Sequence, residues 1–429
     1  MEEEKDNKIS VGKTVNINAA ASVYNLPTFA TSYNGRFIKW LDSDNVSQWP
    51  DKLLEYKSSS ALHGRITRGI IRQVIGAGFT YDTSLGQQST ATEAFLKKEN
   101  KDGDNLFQIW SKFVDDEYTF GPAALVLVYE KSKASILSVE HINMRQIRAV
   151  PVVDKKIPGW IWSWDWNKQQ KNDEWLYIPS NDFLNAKASA DGVKKAIVDA
   201  ETAMKNMQVD DVKKSLKAID DIYGTTNVTV LVHMPTRDTV SFYYPSWPTY
   251  IGGLTSIRSD IKASEYNLNA LSNGLNIDSI LMIYGINSTE GKEVFCNDFN
   301  AQIRNPDRGK GTLFLFPPDE QHKPDFEALN SNSEAMLYSK INLDLTDKIL
   351  QAHGITVPSL VGVSKSSIFG DSGDALIQGA QLFYEETILP LQMKCIEPIN
   401  KIMLYNGLCP LTVDRLKSSL QTQITKPTN

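Results

Sequence analysis

Between residues 246 and 275 the apolar side chains Ile251, Leu254, Ile257, Ile261, Leu268, Leu271 and Leu275 are separated by 3, 3, 4, 7, 3 and 4 positions. That spacing keeps one face of an α-helix apolar for about seven turns. A second run, SEAMLYSKINLDLTDKILQAHG (333–354), places Leu337, Ile341, Leu345 and Ile349 four apart. A third, ALIQGAQLFYEETILPLQMKCIEPINKIM (375–403), would reach roughly 40 Å at 1.5 Å per residue. Pro390 and Pro398 are predicted to kink or break it, because proline lacks the N–H that continues the helical ladder. The C-terminal half must therefore be organised around long helices. The segment between the first two is compact: a strand SILMIYGI, a short helix VFCNDFNAQI, a turn NPDRGKG and a strand TLFLFPP.

The N-terminal half has a different grammar. Residues 1–30 alternate small and polar residues and read as a flexible arm. Helical signals begin at Pro50 and run to Gly76 and Gly78, with Ile66, Ile70, Ile71 and Val74 apolar and Arg65, Arg68 and Arg72 sharing another face. An amphipathic helix is predicted over 105–121, stopped by Gly121-Pro122. Short β-rich runs follow: AALVLVYE, SILSVEHI, IRAVPVV, GWIWSWDW and DEWLYIP. Trp160, Trp162, Trp164 and Trp166 fall at period two, on one face of a predicted strand. A bare face of that size would aggregate, so a covered face is expected in preference to a carbohydrate platform. Residues 189–223 read as a helical hairpin suited to lie on it, with Val193, Ile197, Ala200 and Met204 on one stripe and Val212, Leu216, Ile219 and Ile222 on the other. Two more strands, VTVLVHM and TVSFYY, lead into the first long helix. The fold class expected is α+β.

Chemistry is harder to find. The stretch VPSLVGVSKSSIFGDSGDAL (357–376) holds Gly362, Gly370 and Gly373 among five serines. Its GVSKSS is the nearest approach to a phosphate-cradling loop, but position 364 is Ser where that motif needs Gly, and a helix precedes it where the motif needs a strand. The five histidines, His63, His141, His233, His322 and His353, are far apart in sequence with no metal-ligand spacing. Asp374 reads as the N-cap of the helix starting at Ala375. Glu385 and Glu386 are adjacent, so on a helix they point about 100° apart and share no site. Cys296, Cys395 and Cys409 are too few and scattered for a disulfide framework. No catalytic constellation, cofactor site or metal site is expected, and the chain is read as no enzyme. The N-terminus MEEEKDNK lacks the apolar core of a signal peptide. No apolar run approaches about 18 residues, so no membrane span is expected. The net charge of −6 and pI near 5.6 argue against a basic nucleic-acid-gripping surface.

Taken in order, WPTYIGGL (247–254), EYNLNALSNGL (265–275), ILQAHGITVPSLVGV (349–363) and FGDSGDALIQGAQLFYEETILPLQ (369–392) resemble the portal protein of tailed bacteriophages, of the HK97/PBSX-like portal family. HGRITRGIIRQVIGAGF (63–79) is similar to an early wing helix of that family. The likeness spans roughly residues 30–403 and is tightest over 247–392. It implies a wing over 31–246 carrying the 189–223 hairpin as an insertion, a first stem helix at 247–275, a clip at 276–330 and a second stem helix at 331–355. A tunnel loop at 356–373 and a long kinked wing helix at 374–403 would follow. Only a short tail, 404–429, is left where the family commonly builds a crown.

The resemblance also implies a dodecameric homo-oligomer at one capsid vertex of a virion, assembled in the host cytoplasm with major capsid and scaffolding proteins. Double-stranded viral DNA would pass through its channel during packaging and ejection. The terminase large subunit would dock on it, followed by head–tail connector proteins. Residues implied to face DNA in the tunnel loop are Ser364, Lys365, Ser366, Ser367, Ile368, Phe369 and Gly370. Channel-lining stem candidates are Arg258, Lys262 and Glu265, and partner-docking clip candidates are Asn305, Asp307, Arg308 and Lys310. Twelve copies at −6 carry a summed formal charge of −72, which repels a threading duplex instead of gripping it. Two other readings compete. A further ring-forming head–tail adaptor would be shorter, and a DNA-packaging NTPase or nuclease would need the phosphate loop or carboxylate cluster that the sequence lacks.

Overall fold

The computed structural model describes residues 49–149, 157, 159–164, 166, 176–181, 198–199, 202, 209–225, 227–233, 247–273, 277–286, 288–303, 311–316, 331–355, 358–361 and 373–416. The fold is α+β. The chain divides into two compact units, one formed by Met1–Thr255 with Leu350–Asn429 and the other by Ser256–Ile349.

In the first unit, α1 (Trp49–Ser59) and α2 (Ala61–Ile75) occupy the stretch read from sequence as one helix. The break falls at Ser60, whose extended backbone lets its side chain accept from the His63 N–H at 3.0 Å, so a new N-cap starts α2. Gly64 lets the two helices approach, since a Cβ there would stand 2.3 Å from the Lys57 carbonyl oxygen. The four predicted apolar residues of α2 are buried, and Arg65, Arg68 and Arg72 are exposed.

Strand β1 (Phe79–Thr80), α3 (Gln87–Lys97) and α4 (Leu106–Phe120) follow. A reciprocal cap opens α4: the Gln108 N–H donates to Asn105 Oδ1 at 3.0 Å and the Asn105 N–H to Gln108 Oε1 at 2.8 Å. Asn105→Ala is expected to lower stability by about 1 kcal/mol in a denaturant titration, the usual worth of such a cap. The helix predicted to be amphipathic is buried on nearly every side, Asp116 and Glu117 included, because it packs against α1, α2 and the sheet that follows.

Next come β2 (Ala123–Tyr129), β3 (Ile136–Ile142), β4 (Ile147–Ala149), β5 (Gly159–Trp162), β6 (Leu176–Pro179), α5 (Val209–Tyr223) and β7 (Val228–His233). They form two antiparallel sheets, ordered β3-β2-β7 and β4-β5-β6. Every residue of the central strand β2 is buried, which accounts for its unbroken apolar run AALVLVY. The Asn181 N–H, just past β6, donates to the Val230 carbonyl at 2.7 Å and ties the sheets together.

The expected four-tryptophan face is corrected here. β5 ends at Trp162, so only Trp160 and Trp162 lie on the strand, both buried, while Trp164 beyond it is 74% exposed. Trp166 turns its ring to the Arg148 guanidinium, 4.8 Å from the centroid, and donates to the Gln146 carbonyl. α5 packs on β6, where Ser215 Oγ accepts from the Tyr177 N–H at 3.0 Å. TVSFYY and most of the first helix of the predicted hairpin lie outside the described residues.

The unit closes with α9 (Gly373–Phe383), a π-helical turn (Tyr384–Ile388), α10 (Leu389–Tyr405) and β10 (Thr412–Val413). α9 begins at Gly373, so Asp374 stands inside its first turn and not ahead of it as its cap. Pro390 sits in the first turn of α10, where a missing N–H is tolerated, and the irregular π turn immediately precedes it. Pro398 does not end the helix: it is buried within α10. The stretch expected as a tail from 404 is built into this unit as far as 416. Asn406 accepts from the Ile136 N–H at 2.8 Å and donates to the Ile136 carbonyl at 2.9 Å, and β10 pairs antiparallel with β1.

The second unit contains most of α6 (Leu254–Asn273), then β8 (Ile277–Met282), α7 (Thr289–Ile303), β9 (Gly311–Leu315) and most of α8 (Ser331–Ala352). β8 and β9 pair in parallel with α7 between them in sequence, a β–α–β unit. Among the described side chains of α6 from Arg258 to Leu268 none is buried, and Leu268 is 65% exposed. Among the described residues no helix is long and apolar enough to cross a membrane.

Candidate functional site at the end of helix α8

The last turn of α8 ends on a polar cluster that no sequence spacing announces. His353 Nε2 lies 2.9 Å from His63 Nδ1, and His353 Nδ1 lies 2.7 Å from the Tyr118 hydroxyl. Three distant segments thus meet: α2 carries His63, α4 carries Tyr118 and α8 delivers His353. Tyr250 closes the cluster, its ring centroid 4.7 Å from that of His63 and 5.1 Å from that of His353, while its hydroxyl donates to the Thr119 carbonyl at 2.6 Å. His63 and His353 are buried.

Burial decides the protonation states. It lowers the pKa of His63 to about 4, with the Lys57 ammonium adding to the effect, and that of His353 to about 3, with His63 adding to it. Both imidazoles are neutral at pH 7. The bonding then runs from His63 Nδ1–H to His353 Nε2 and from His353 Nδ1–H to the Tyr118 oxygen, and Tyr118 is bonded in turn to the Thr249 side chain. This direction leaves only the His63 Nε2 lone pair without a partner. The reverse would strand an N–H, which is the rarer and costlier orphan.

The same cluster roots the chain that follows α8. Ile355 returns its N–H to the Leu350 carbonyl at 2.9 Å, and Gly354 takes φ 67°, a conformation that suits glycine. A short 3-10 turn, Pro358–Val361, then lands on α2. Arg65 Nε donates to the Val361 carbonyl at 3.0 Å, and Gly69 leaves room for the Val361 side chain. Further along the chain, Gln392 of α10 donates to the carbonyls of Gln73 and Val74, both at 3.1 Å. α2 therefore supports both the 3-10 turn at Pro358–Val361 and α10, while residues 362–372 lie outside the described residues.

Two further buried pairs flank the cluster. Asp116 accepts from His141 Nε2 at 2.9 Å, and Glu117 accepts from His233 Nδ1 at 2.7 Å and from the Cys395 thiol at 2.9 Å. Burial first, and Glu117 second, push the Cys395 thiol well above its ordinary pKa, so it is no thiolate nucleophile. Among the described residues no group of three or more His, Cys, Asp or Glu side chains is arranged to hold a metal ion.

The residues named from the sequence fall otherwise. Ser364, Lys365, Ser366, Ser367, Ile368, Phe369 and Gly370 lie outside the described residues, as do Asn305, Asp307, Arg308 and Lys310. Arg258, Lys262 and Glu265 share an exposed face of α6, with Lys262 and Glu265 paired at 2.6 Å. Glu385 and Glu386 fall in the π turn, both exposed. The His63–His353 pair escaped because its members are 290 residues apart. One signal was present: His63 lies three residues before Ile66, on the apolar stripe of α2.

No protein-family model matches the sequence, and no curated protein matches it. Solved structures that resemble it include a chain from the neck of an empty gene transfer agent (GTA) particle, with a TM-score of 0.52 at 12% identity, covering 87% of this chain and 86% of that one. A chain from the virion of the native GTA particle gives a TM-score of 0.48 at 13% identity, covering 87% and 86%. An HK97 family phage portal protein from Corynebacterium diphtheriae gives 0.38 at 12% identity, covering 87% and 96%. At such identities the likeness is one of fold alone. Over nearly nine-tenths of its length the chain shares its fold with a chain of the GTA particle neck.

Proposed function

We propose that this chain is a portal-type protein, a ring-forming structural component of a virion through which double-stranded DNA passes, and not an enzyme. The observation that carries the reading is the fold shared with a chain from a particle neck computed with C6 symmetry. The order of elements supports it: a long helix α6, a β–α–β unit, a second long helix α8, a 3-10 turn seated on α2, and the broken helix of α9 and α10.

On this reading α6 and α8 are stem helices lining a channel, with Arg258, Lys262 and Glu265 toward the DNA. The β–α–β unit is the clip, where Asn305, Asp307, Arg308 and Lys310 meet the terminase large subunit and later the connector proteins. Residues 364–370 are the tunnel loop. Twelve copies would form the ring, at one vertex of a capsid built by the major capsid and scaffolding proteins. The exposed apolar side chains of α6 fit a helix that finds its packing partner in another copy, since a long helix gains most of its stability from tertiary contacts.

Negative-stain microscopy of the purified full-length chain tests this: rings with a central channel are expected, and compact monomers or dimers would overturn it. Deleting residues 364–370 is expected to leave those rings intact while lowering DNA packaging or retention in particles. Loss of the rings would make the loop an assembly element and not a DNA-facing one.

A further inference from the structure

We propose that the His63–His353–Tyr118 chain is an acid-released latch, which holds the turn after α8 on α2 and α4 while its imidazoles are neutral and frees that turn when the pair takes up a proton. The geometry carries the idea. His353 spends both ring nitrogens on the latch, one on each supporting helix, at 2.9 and 2.7 Å. Beyond it, the described part of the turn is fastened by few bonds, chiefly the Arg65 Nε donation to the Val361 carbonyl and the local Ile355–Leu350 bond. α2 and α4 belong to the core of the unit and do not depend on His353 for their burial. Loss of the latch therefore loosens the turn first.

The surroundings disfavour a cation at this point. α1 presents Lys57, whose ammonium bonds Asp115 Oδ1 at 2.5 Å and Thr119 Oγ1 at 3.0 Å. α4 presents Asp115 and the neutral Tyr118, α2 presents Thr67, and the segment before α6 presents Tyr250 and Thr249. Asp115, the carboxylate that Lys57 meets beside His63, is already occupied by it. A proton added to either ring thus creates a buried imidazolium with no free counter-charge, and the strain is relieved by exposing His353 to water. The low pKa values of the two rings, about 4 and about 3, agree with that cost.

Hydrogen exchange read by mass spectrometry on the full-length chain, corrected for intrinsic rates, tests this between pH 7 and pH 3.5. Peptides covering Gly354–Ile355 and Pro358–Val361 are expected to lose protection tenfold or more on acidification, while α4 peptides keep theirs. In Lys57→Met, which removes the repelling charge and releases Asp115 as a counter-charge, the closed latch holds a proton at less cost, so the midpoint of that loss is expected to move to lower pH. The latch is overturned if the turn stays equally protected to pH 3.5, if it opens only together with α4, or if the midpoint in Lys57→Met is unmoved or rises. His353→Gln is expected to show the turn unprotected already at pH 7, and the Lys57→Met comparison keeps the idea testable should that variant not fold.

Discussion

Asp116→Ala is expected to cost the first unit about 3–5 kcal/mol, the range for removing one partner of a buried ionic network. The Asp116 carboxylate is 3% exposed and satisfies three donors: His141 Nε2 at 2.9 Å, the Met144 N–H at 3.1 Å and Asn143 Nδ2 at 3.2 Å. Burial raises its pKa, and the bonds from His141 and Met144 pull it back only in part. The charge is therefore no source of stability in itself. What the residue supplies is acceptors, and alanine leaves three donors without one, the buried Met144 N–H and the half-buried His141 and Asn143 side chains. Asp116→Asn keeps one acceptor oxygen and is expected to cost roughly half as much. Urea titration followed by tryptophan fluorescence gives both values, and a loss below about 1 kcal/mol for the alanine variant would show that water reaches these donors.

The same carboxylate shows what the sequence could and could not reveal. Helices and strands were legible because their signal is local: the apolar stripe of α2 and the unbroken run of β2 state their own burial. α4 was legible as a helix but not as a buried one. Asp116 and Glu117 are buried, and His141, His233 and Cys395 reach them from β3, β7 and α10. No local pattern can specify a partner that arrives from 25, 116 or 278 residues away. The latch was missed for the same reason. Ser60 was missed for the opposite one: a single cap inside two helical runs of the same period leaves no gap in the pattern. Trp164 kept the strand's alternation past the point where its backbone leaves the sheet. Alternation describes side chains, while pairing decides where a strand ends.

Gly76→Ala is expected to destabilise the first unit by about 3 kcal/mol or more, and to do so through the C-terminal segment. Gly76 caps α2 at φ 73°, a left-handed conformation that costs a residue with a Cβ about 1 kcal/mol or somewhat more. A Cβ would also stand 2.4 Å from the Asp414 carbonyl oxygen and 2.5 Å from Val413 Cγ1. The first of these is backbone and cannot swing away. Relief requires moving the strand, which threatens the Ala77 N–H bond to the Asp414 carbonyl at 2.8 Å, the return bond from the Asp414 N–H to Gly78 at 2.9 Å and the β1–β10 pairing. Gly103→Ala separates the two costs, since Gly103 has φ 79° but open space where its Cβ would go. It is expected to lose only about 1 kcal/mol, for the conformation alone. Limited proteolysis should then cut Gly76→Ala within 406–416 well before it cuts either the parent chain or Gly103→Ala. Equal losses in the two variants would mean that the C-terminal segment yields freely, and that residues 404–416 are a tail lying on the unit and not a strand that helps to close it.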